Sequence, residues 1–466
     1  MIDFKKFVKT YDVRGLVGTE LTEAVVESFG AAFVDVLELS GKQLVVGHDM
    51  RDSSDSFAKA FASGAQKRGG NPLMIGLCST DMTYFASGKL NLASVMFTAS
   101  HNPASYNGMK FSRAGAKGIG LDSGLAEIRD AAQNYFDTEI GSVAQPGKSQ
   151  NLDVTLDYVN YLRSLVDVSG SKRLKIVVDA ANGMGGYTVP LVLGSEAGLE
   201  PLNLEIVPLY FELDGTFPNH EANPLQVENL RDLQRAVVEH GADLGLAFDG
   251  DADRCFAVDE KGGLVSPSAL AAIVSMREIN RVKAAGEQDI TVLHNLLTSK
   301  IVEEKIAEAG ANPIRTKVGH SLIKEQMAKT NAVFGGEHSA HYYFRDFWGA
   351  DNGMLAALHL ISELGSYKGS MSELSASYTP YFSSGEINST VSDTPAALER
   401  LRNAFPECST EQFDGITFSF SNEDSWFWFN VRSSNTEPLL RLNVESSHEA
   451  LMVEIRDKAI QTIRNG

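Results

Sequence analysis

The hydrophobic positions of this chain form short apolar runs that alternate with longer amphipathic stretches. The runs that predict buried strands are residues 43–47, 73–77, 93–97, 174–179, 204–207, 244–248, 290–293 and 313–316. Apolar residues at helical spacing predict helices at residues 56–67, 227–239 and 300–308. Strands and helices that alternate in this way indicate mostly parallel sheets covered by helices.

The final part of the chain has a different pattern. Three strand-like runs, at residues 415–420, 426–431 and 439–444, follow one another with only short turns between them. Short turns are typical of antiparallel strands, because parallel neighbours need a long crossover connection. We therefore predict three mixed, mostly parallel α/β domains followed by a C-terminal α+β domain.

Polar and glycine-rich segments indicate where these domains are joined. We expect linkers at residues 147–151, at the turn 259–263 and in the Ser-rich region 369–377. The resulting domains are residues 1–150, 151–259, 260–372 and 373–466, and a chain of 466 residues is indeed too long for a single core. The glycine-rich segment 182–186 lacks the Lys-Ser/Thr pair of a nucleotide-binding P-loop, so we interpret it as a structural turn.

Composition narrows the class of protein. A hydrophobic content of 43% and a charged content of 22% are ordinary for a globular, water-soluble fold. The net charge of -19 argues against nucleic acid or an anionic membrane as partner, since both require a basic surface. Neither a signal peptide nor a run of about 20 apolar residues is found, so we expect a cytoplasmic protein. Cys78, Cys255 and Cys408 are far apart, and we expect reduced thiols.

Residues 98–103, Thr-Ala-Ser-His-Asn-Pro, are the first candidate for chemistry. They follow the predicted strand 93–97, which places Ser100 at the carboxyl end of a strand, where open α/β sheets bind ligands. A serine beside the His101 imidazole is a candidate covalent carrier. The same residue types also form ordinary turns, and the segment alone does not decide between the two interpretations. A serine hydrolase would require a G-x-S-x-G turn, which is absent around Ser100.

Asp249, Asp251 and Asp253 are the second candidate. In extended or loop backbone, residues two positions apart project to one side, so three carboxylates can converge on one hard cation such as Mg²⁺. A calcium EF-hand is excluded, because Arg254 occupies the position that needs glycine and strand-like runs flank the segment. Phosphatases with an aspartyl nucleophile carry their paired aspartates near the start of the chain with a threonine following, so a metal site fits better.

Two further polar segments suit a phosphorylated sugar. Residues 336–341, Gly-Glu-His-Ser-Ala-His, offer a carboxylate, a hydroxyl and an imidazole at alternate positions, a spacing suited to adjacent sugar hydroxyls. Residues 432–438, Arg-Ser-Ser-Asn-Thr-Glu-Pro, offer a guanidinium, hydroxyls, an amide and backbone N–H groups, which together can bind a phosphate dianion. Taken singly, each segment is equally consistent with a polar turn.

These segments, in this order, resemble the motifs of the α-D-phosphohexomutase superfamily, and the resemblance spans nearly the whole chain. The segments that carry it are residues 11–15 (Tyr-Asp-Val-Arg-Gly), 98–103, 106–110 (Tyr-Asn-Gly-Met-Lys), 249–254, 336–341 and 432–438. The chain looks most like the bacterial phosphomannomutase branch, which includes enzymes that also act on phosphoglucose. Phosphoglucosamine mutases typically have Pro and Gly where this chain has Ser433 and Asn435. Two departures from the family pattern are Ala340, in place of a glycine, and His48, in place of an arginine.

The resemblance implies four domains around a central cleft, each contributing one loop, and a phosphoserine mechanism. The enzyme would interconvert mannose 6-phosphate and mannose 1-phosphate through a hexose 1,6-bisphosphate that also activates it. Glucose phosphates would be an additional substrate class. Phosphoglucomutase and phosphoglucosamine mutase are the alternatives within the superfamily. A non-catalytic sugar-phosphate-binding protein would need no metal site beside a serine. Hexose phosphates are the expected partners of a monomer or homodimer.

The resemblance also assigns roles to individual residues. Ser100 would carry the phosphoryl group and, with Asp249, Asp251 and Asp253, hold one Mg²⁺ per chain. The cations near the transferred group would be Arg14, Lys110 and Arg254, and the candidates for proton transfer are His101, His341 and Lys110, the last if neighbouring cations lower its pKa. The substrate-binding residues would be Tyr11, Glu337, Ser339, His341, Arg432, Ser434, Asn435 and Thr436.

Overall fold

The computed structural model describes residues 2–433 and 439–464, whose strands form four separate sheets in succession along the chain. The predicted fold class is confirmed: three mixed α/β domains precede a C-terminal α+β domain with a fully antiparallel sheet. Within the described part of the chain, no helix is both long and apolar enough to cross a membrane.

The first sheet has parallel strands on one side and antiparallel strands on the other. Its strands are β1 (Val13–Leu16), β2 (Gln43–His48), β3 (Asn71–Leu77), β4 (Ser94–Phe97), β5 (Tyr106–Arg113), β6 (Lys117–Gly118) and β7 (Gln150–Asn151). Its helices are α1 (Glu23–Val36), α2 (Ser54–Lys67), α3 (Thr80–Leu90) and α4 (Ala126–Asp137). The strand order is β1-β5-β4-β2-β3-β7 with β6 beside β5, and the parallel part runs from β4 to β7.

The second and third sheets repeat this plan with five strands each. The second contains β8 (Leu174–Asp179), β9 (Leu204–Leu209), β10 (Leu244–Phe248), β11 (Cys255–Asp259) and β12 (Leu264–Val265), in the order β12-β11-β10-β8-β9. The third contains β13 (Thr291–Asn295), β14 (Asn312–Thr316), β15 (Phe334–Gly336), β16 (Tyr342–Phe344) and β17 (Ala350–Asp351), in the order β14-β13-β15-β16-β17. The helices are α5 (Thr155–Leu165), α6 (Gly185–Val192), α7 (Arg231–His240), α8 (Pro267–Ala284), α9 (Lys300–Glu308), α10 (His320–Thr330), α11 (Gly353–Ser366) and α12 (Met371–Ala376).

The fourth sheet is a meander of antiparallel strands with two helices. Its strands are β18 (Phe382–Thr390), β19 (Ser409–Gln412), β20 (Ile416–Ser421), β21 (Trp426–Ser433) and β22 (Leu439–Ser446), and the helices are α13 (Thr394–Ala404) and α14 (Glu449–Arg464). The strand order is β18-β22-β21-β20-β19. This domain has an apolar core of its own, whereas the second and third sheets share one continuous core.

Two expected linkers have a different structure. The turn 259–263 joins the antiparallel strands β11 and β12, so it is a hairpin turn inside the second sheet. The Ser-rich region contains helix α12, because the Ser370 side chain accepts a hydrogen bond from the Glu373 N–H and the Glu373 carboxylate accepts one from the Ser370 N–H. This reciprocal cap stabilises a helix start that composition alone conceals.

A common local arrangement recurs in the first three sheets. In each, a parallel strand is followed by a loop and then by an antiparallel neighbour: β4 to β5, β10 to β11, and β15 to β16. The three loops are residues 98–105, 249–254 and 337–341. The fold therefore places three predicted site segments at the carboxyl ends of parallel strands.

Candidate active site

The three strand-end loops converge on one cavity. The cavity is lined by Arg14, Tyr84, Ser100, His101, Lys110, Asp253, Arg254, His341 and Asp351. All of these except Tyr84 and Asp351 were predicted from the sequence as site residues. The first three domains thus contribute side chains to a single site, although the positions are far apart in the chain.

Ser100 is held in a constrained conformation at the floor of this cavity. Its side chain is buried, and its backbone φ of +50° lies in the left-handed region that a serine rarely adopts. The Thr98 hydroxyl accepts the Ser100 N–H at 2.9 Å, and the Ser100 hydroxyl donates to Asp249 Oδ2 at 2.8 Å. A Cβ at Gly250 would lie 2.3 Å from the Ser100 carbonyl oxygen, so only glycine allows the two loops to approach this closely. Strain of this kind is typical of functional sites.

The Arg51 guanidinium supports the Ser100 loop from behind, and sequence reasoning missed it. It donates hydrogen bonds to four backbone carbonyl oxygens, those of Ser100 at 2.9 Å, Asn102 at 2.6 Å, Pro103 at 3.0 Å and Tyr106 at 2.9 Å. Its side chain is almost fully buried. The only sequence signal was its position just after β2, at the same sheet edge as Ser100.

The three aspartates of residues 249–254 form a buried cluster whose carboxylate oxygens lie within 4.8 Å of one another. The Lys110 ammonium donates to Asp251 Oδ2 at 2.6 Å and to Asp253 Oδ2 at 2.7 Å. The other oxygen of each, Oδ1, is buried and has no hydrogen-bond partner among the residues that the structure describes. Buried carboxylate oxygens without partners are costly unless a cation binds them, so this cluster has the composition and the geometry of a metal site.

A guanidinium and an imidazole, those of Arg254 and His101, lie beside the Ser100 hydroxyl. Arg254 donates to Asp249 Oδ2 through Nη2 at 2.7 Å and through Nε at 3.0 Å, and its Nη2 lies 2.5 Å from His101 Nδ1. Burial, with the nearby charges of Arg254 and Arg14, lowers the pKa of His101 well below its ordinary value. The imidazole is therefore neutral near pH 7.

Lys110 carries a full positive charge in this site. Burial by itself would lower its pKa, but the carboxylates of Asp251 and Asp253 outweigh that effect and raise the pKa well above its ordinary value. The idea that neighbouring cations lower the Lys110 pKa is therefore wrong, because its nearest ionised neighbours are anions.

Arg14 lines the cavity from the first domain, and Tyr11 of the same segment lies beside the third domain. Arg14 donates from Nε to Asp12 Oδ2 at 2.8 Å and from Nη1 to Asn102 Oδ1 at 2.7 Å. These bonds direct its guanidinium along the Ser100 loop. A Cβ at Gly319 would lie 3.0 Å from the Tyr11 hydroxyl, which places Tyr11 beside the third domain.

The predicted sugar segment has one buried residue, Glu337, and one residue that lines the cavity, His341. The Glu337 carboxylate is buried and accepts hydrogen bonds from the Tyr343 hydroxyl at 2.7 Å and from Asn295 Nδ2 at 3.3 Å, and burial raises the pKa of Glu337. His341 faces the cavity, and its Nδ1 lies 3.0 Å from the Ser339 hydroxyl. Ala340 has a φ of +65°, which explains why glycine is common at this position in the family.

The predicted phosphate segment is described only in part. Arg432 is the penultimate residue of strand β21, and its Nη2 donates to Glu386 Oε2 at 2.9 Å. Ser434, Asn435 and Thr436 lie outside the described residues.

Lys324 and Asp351 of the third domain are further charged residues at the cavity that the sequence reasoning missed. They form an ion pair, and the Lys324 ammonium lies 4.2 Å from the centre of the Tyr84 ring. This contact crosses from the third domain to the first. Asp351 and Asn352 directly precede Gly353, the first residue of helix α11. This short polar stretch between apolar stretches is the signal by which the sequence could have indicated Asp351.

Comparison with known proteins gives consistent matches along the whole chain. Models of the phosphoglucomutase/phosphomannomutase family match α/β/α domain I at residues 5–138, domain II at 156–263, domain III at 267–381 and the C-terminal domain at 386–461. A phosphomannomutase of Salmonella montevideo is 37% identical over 98% of each chain. A relative from Xanthomonas campestris, named phosphohexose mutases, is 40% identical over 98% of this chain and 99% of its own.

A solved structure supports the same assignment of the fold. The phosphoglucomutase/phosphomannomutase family protein of Burkholderia thailandensis superimposes with a TM-score of 0.84 at 28% identity. The match covers 99% of this chain and 98% of the other.

Proposed function

Because the chain belongs to the phosphoglucomutase/phosphomannomutase family, we propose that it is an isomerase that interconverts mannose 6-phosphate and mannose 1-phosphate. Full-length relatives named phosphomannomutase, at 37% identity, support the choice of mannose. The main support for the proposal is the buried Ser100 hydroxyl. It contacts Asp249 of the aspartate cluster and faces a cavity lined by arginines and a lysine.

In the proposed reaction, Ser100 carries a phosphoryl group at the start of each cycle. The free hydroxyl oxygen of the sugar monophosphate attacks the phosphorus, and the bond between phosphorus and Ser100 Oγ breaks. The sugar hydroxyl gives up its proton and Oγ gains one, so the serine hydroxyl is restored. The product is a hexose 1,6-bisphosphate. It rotates in the cleft and returns its other phosphoryl group to Ser100 by the reverse steps.

Positive charge around Ser100 would stabilise the transferred group. Arg254 Nη2 lies 3.4 Å from Ser100 Oγ, and Arg14 lines the same cavity. Guanidinium groups that are fixed in a buried site stabilise the negative charge of the phosphoryl group in the transition state, because they do not have to reorganise during the transfer. His101 and His341 line the cavity and are our candidates for moving the sugar proton.

The aspartate cluster fits a hard divalent cation, as the partnerless oxygens of Asp251 and Asp253 indicate. We assign Asp249, Asp251 and Asp253, with an oxygen on phosphorylated Ser100, as the ligands of one Mg²⁺ per chain. When bound, this ion neutralises negative charge on the transferred phosphoryl group. The Lys110 ammonium, which donates to two of the carboxylates, orients them in the absence of the ion.

Substrate recognition is assigned to the third and fourth domains. Ser339 and His341 present a hydroxyl and an imidazole toward the sugar, and Glu337 orients the segment from its buried position. Arg432 would bind the phosphate that does not react, through charge-assisted hydrogen bonds. Hexose 1,6-bisphosphate would act as the activator, because it delivers a phosphoryl group to unmodified Ser100.

Glucose phosphates are a second candidate substrate class. The relative from Xanthomonas campestris that is 40% identical carries the broader name phosphohexose mutases. One assay distinguishes the two cases: turnover of mannose 1-phosphate and of glucose 1-phosphate at equal concentration, with Mg²⁺ and a hexose 1,6-bisphosphate present. A kcat/KM higher for the mannose substrate supports the proposal, and turnover of neither substrate would contradict it.

A further inference from the structure

We propose that Arg441 is a second anchor for the non-reacting phosphate, and that Glu386 takes the place of that phosphate on Arg432 and Arg441 when no sugar is bound. The proposal rests on the proposed function, since it presumes that a sugar phosphate enters next to Arg432. It adds two residues, from strands β22 and β18, that no motif singled out.

The two arginines lie side by side at the base of one hairpin. Arg432 on β21 and Arg441 on β22 are register partners, and the connection between these strands contains the remaining residues of the predicted phosphate segment. Like charges directly opposite on neighbouring strands destabilise a sheet. An anion between the two guanidinium groups therefore stabilises this arrangement.

Glu386 supplies only part of the required negative charge. Its Oε2 accepts from Arg432 Nη2 at 2.9 Å, and its Oε1 lies 3.3 Å from Arg441 Nη1. Glu386 is the one carboxylate that pairs with these two arginines among the residues that the structure describes, so within them one positive charge is uncompensated. In addition, the Nε atoms of both arginines are buried and have no hydrogen-bond partner within the described ranges. Guanidinium groups bind phosphate through paired N–H donors, so a phosphate dianion matches both the free charge and the free donors.

One residue of this cluster, Glu386, is close enough to the predicted sugar segment to act electrostatically on His338. Burial lowers the pKa of His338 in that segment, and the nearby Glu386 carboxylate acts in the opposite direction. His338 is in turn fixed by a 2.9 Å contact between its Nδ1 and the Ser268 hydroxyl. If a sugar binds next to residues 336–341, we expect its phosphate to approach Arg432 and Arg441.

Competition between Glu386 and phosphate has a measurable consequence. A phosphate that binds both arginines must displace a carboxylate that is already bound there, which weakens the observed affinity. Removing the Glu386 charge should therefore tighten phosphate binding. The same change leaves two opposed arginines without an anion, so the free protein should become less stable and phosphate should restore that stability.

The test is a calorimetric titration of the Ser100→Ala protein, which cannot transfer phosphoryl groups, with mannose 6-phosphate, mannose 1-phosphate and inorganic phosphate. Arg441→Gln should raise the Kd of all three ligands about tenfold, the effect of losing a hydrogen bond between charged groups. Glu386→Gln should lower each Kd severalfold and lower the thermal midpoint of the free protein. Arg402→Gln is the matched control, because Arg402 forms an exposed ion pair with Glu399 in the same domain.

A Kd for Arg441→Gln within about twofold of the parent would overturn the role of Arg441, and weaker phosphate binding by Glu386→Gln would overturn the role of Glu386. Circular dichroism verifies the fold of each variant. If Arg441→Gln does not fold, Arg441→Lys keeps the charge but loses the paired donors, and an unchanged Kd for that variant would also overturn the proposal. Failure of the proposed function is a separate outcome, namely a parent chain that binds inorganic phosphate through both arginines but does not turn over mannose phosphates.

Discussion

The Ser100 hydroxyl donates a 2.8 Å hydrogen bond to the Asp249 carboxylate, although the two residues are 149 positions apart in the chain. They lie in the loops that follow strands β4 and β10 of two different sheets. The proposed nucleophile and the first proposed metal ligand are thus in contact before substrate enters. Such preorganisation reduces the reorganisation that the reaction would otherwise require.

Arg51 tests whether the position of Ser100 matters for phosphoryl transfer. Arg51→Lys keeps the positive charge but cannot donate to all four carbonyl oxygens of the Ser100 loop. We expect kcat to fall about a hundredfold with a smaller change in KM, because a displacement of about 1 Å at a reacting group has an effect of this size. Steady-state kinetics on mannose 1-phosphate measure it. Arg129→Lys, at a partly buried arginine of helix α4 in the same domain, is the control, and an unchanged kcat for Arg51→Lys would contradict a positioning role.

Asp251 tests the metal assignment. Asp251→Asn removes one of the carboxylates that have a partnerless buried oxygen, so it should raise the Mg²⁺ concentration needed for half-maximal activity. At low Mg²⁺ the loss of transition-state stabilisation should reach several kcal/mol, the order of magnitude for a catalytic metal. Glu239→Gln, an exposed carboxylate on helix α7, should behave like the parent. Full activity of the parent in excess chelator would rule the metal site out.

Arg432 tests phosphate recognition by the last domain. Arg432→Ala should raise KM for mannose 6-phosphate and mannose 1-phosphate alike by about tenfold or more, since a charge-assisted hydrogen bond is lost. The loss in kcat should be smaller, because Arg432 binds the phosphate that does not react. A variant that lowers kcat at constant KM would place Arg432 at the reacting centre instead.

The raised pKa of Asp81 makes the free energy of unfolding depend on pH. Burial raises its pKa to about 6, although Ser79 and the Tyr158 hydroxyl donate hydrogen bonds to it. The folded state therefore binds the proton more tightly than the unfolded chain does. The contribution of Asp81 to stability is fully present below about pH 4 and falls by about 3 kcal/mol in all as pH rises from about 4 to about 6. Asp81→Asn should remove this loss, so its thermal midpoint relative to the parent should rise between pH 5 and pH 7. A pH-independent difference would contradict the raised pKa.

Local sequence patterns predicted many of the strands and helices. The elements that were not predicted depend on tertiary contacts between residues distant in the chain. The strands 174–179 and 244–248 and the helix 300–308 have the predicted bounds, because each has a clear apolar period of its own. Strand β17 has two residues and β16 three, too few for a period to show, so these antiparallel neighbours were not predicted. The turn 259–263 became a hairpin because β12 pairs with β11, which only tertiary structure decides.

The site was predictable where the chemistry lies in side chains of distinctive type. Ser100 and the three aspartates have such patterns, and the fold brings them together. Arg51 has no pattern, because its partners are backbone carbonyl oxygens that every sequence contains. Burial of Glu337 depends on Asn295 and Tyr343, which its own segment does not reveal.

The most direct test of the central claim is the mass of the protein after incubation with glucose 1,6-bisphosphate and Mg²⁺. We predict that the parent chain becomes heavier by one phosphoryl group, that peptide sequencing places it on Ser100, and that added mannose 1-phosphate removes it. Ser100→Ala should acquire no phosphoryl group and should lose nearly all turnover while keeping its fold. A parent chain that turns over mannose phosphates without a phosphoryl group on Ser100, or a Ser100→Ala variant with normal turnover, would contradict the account.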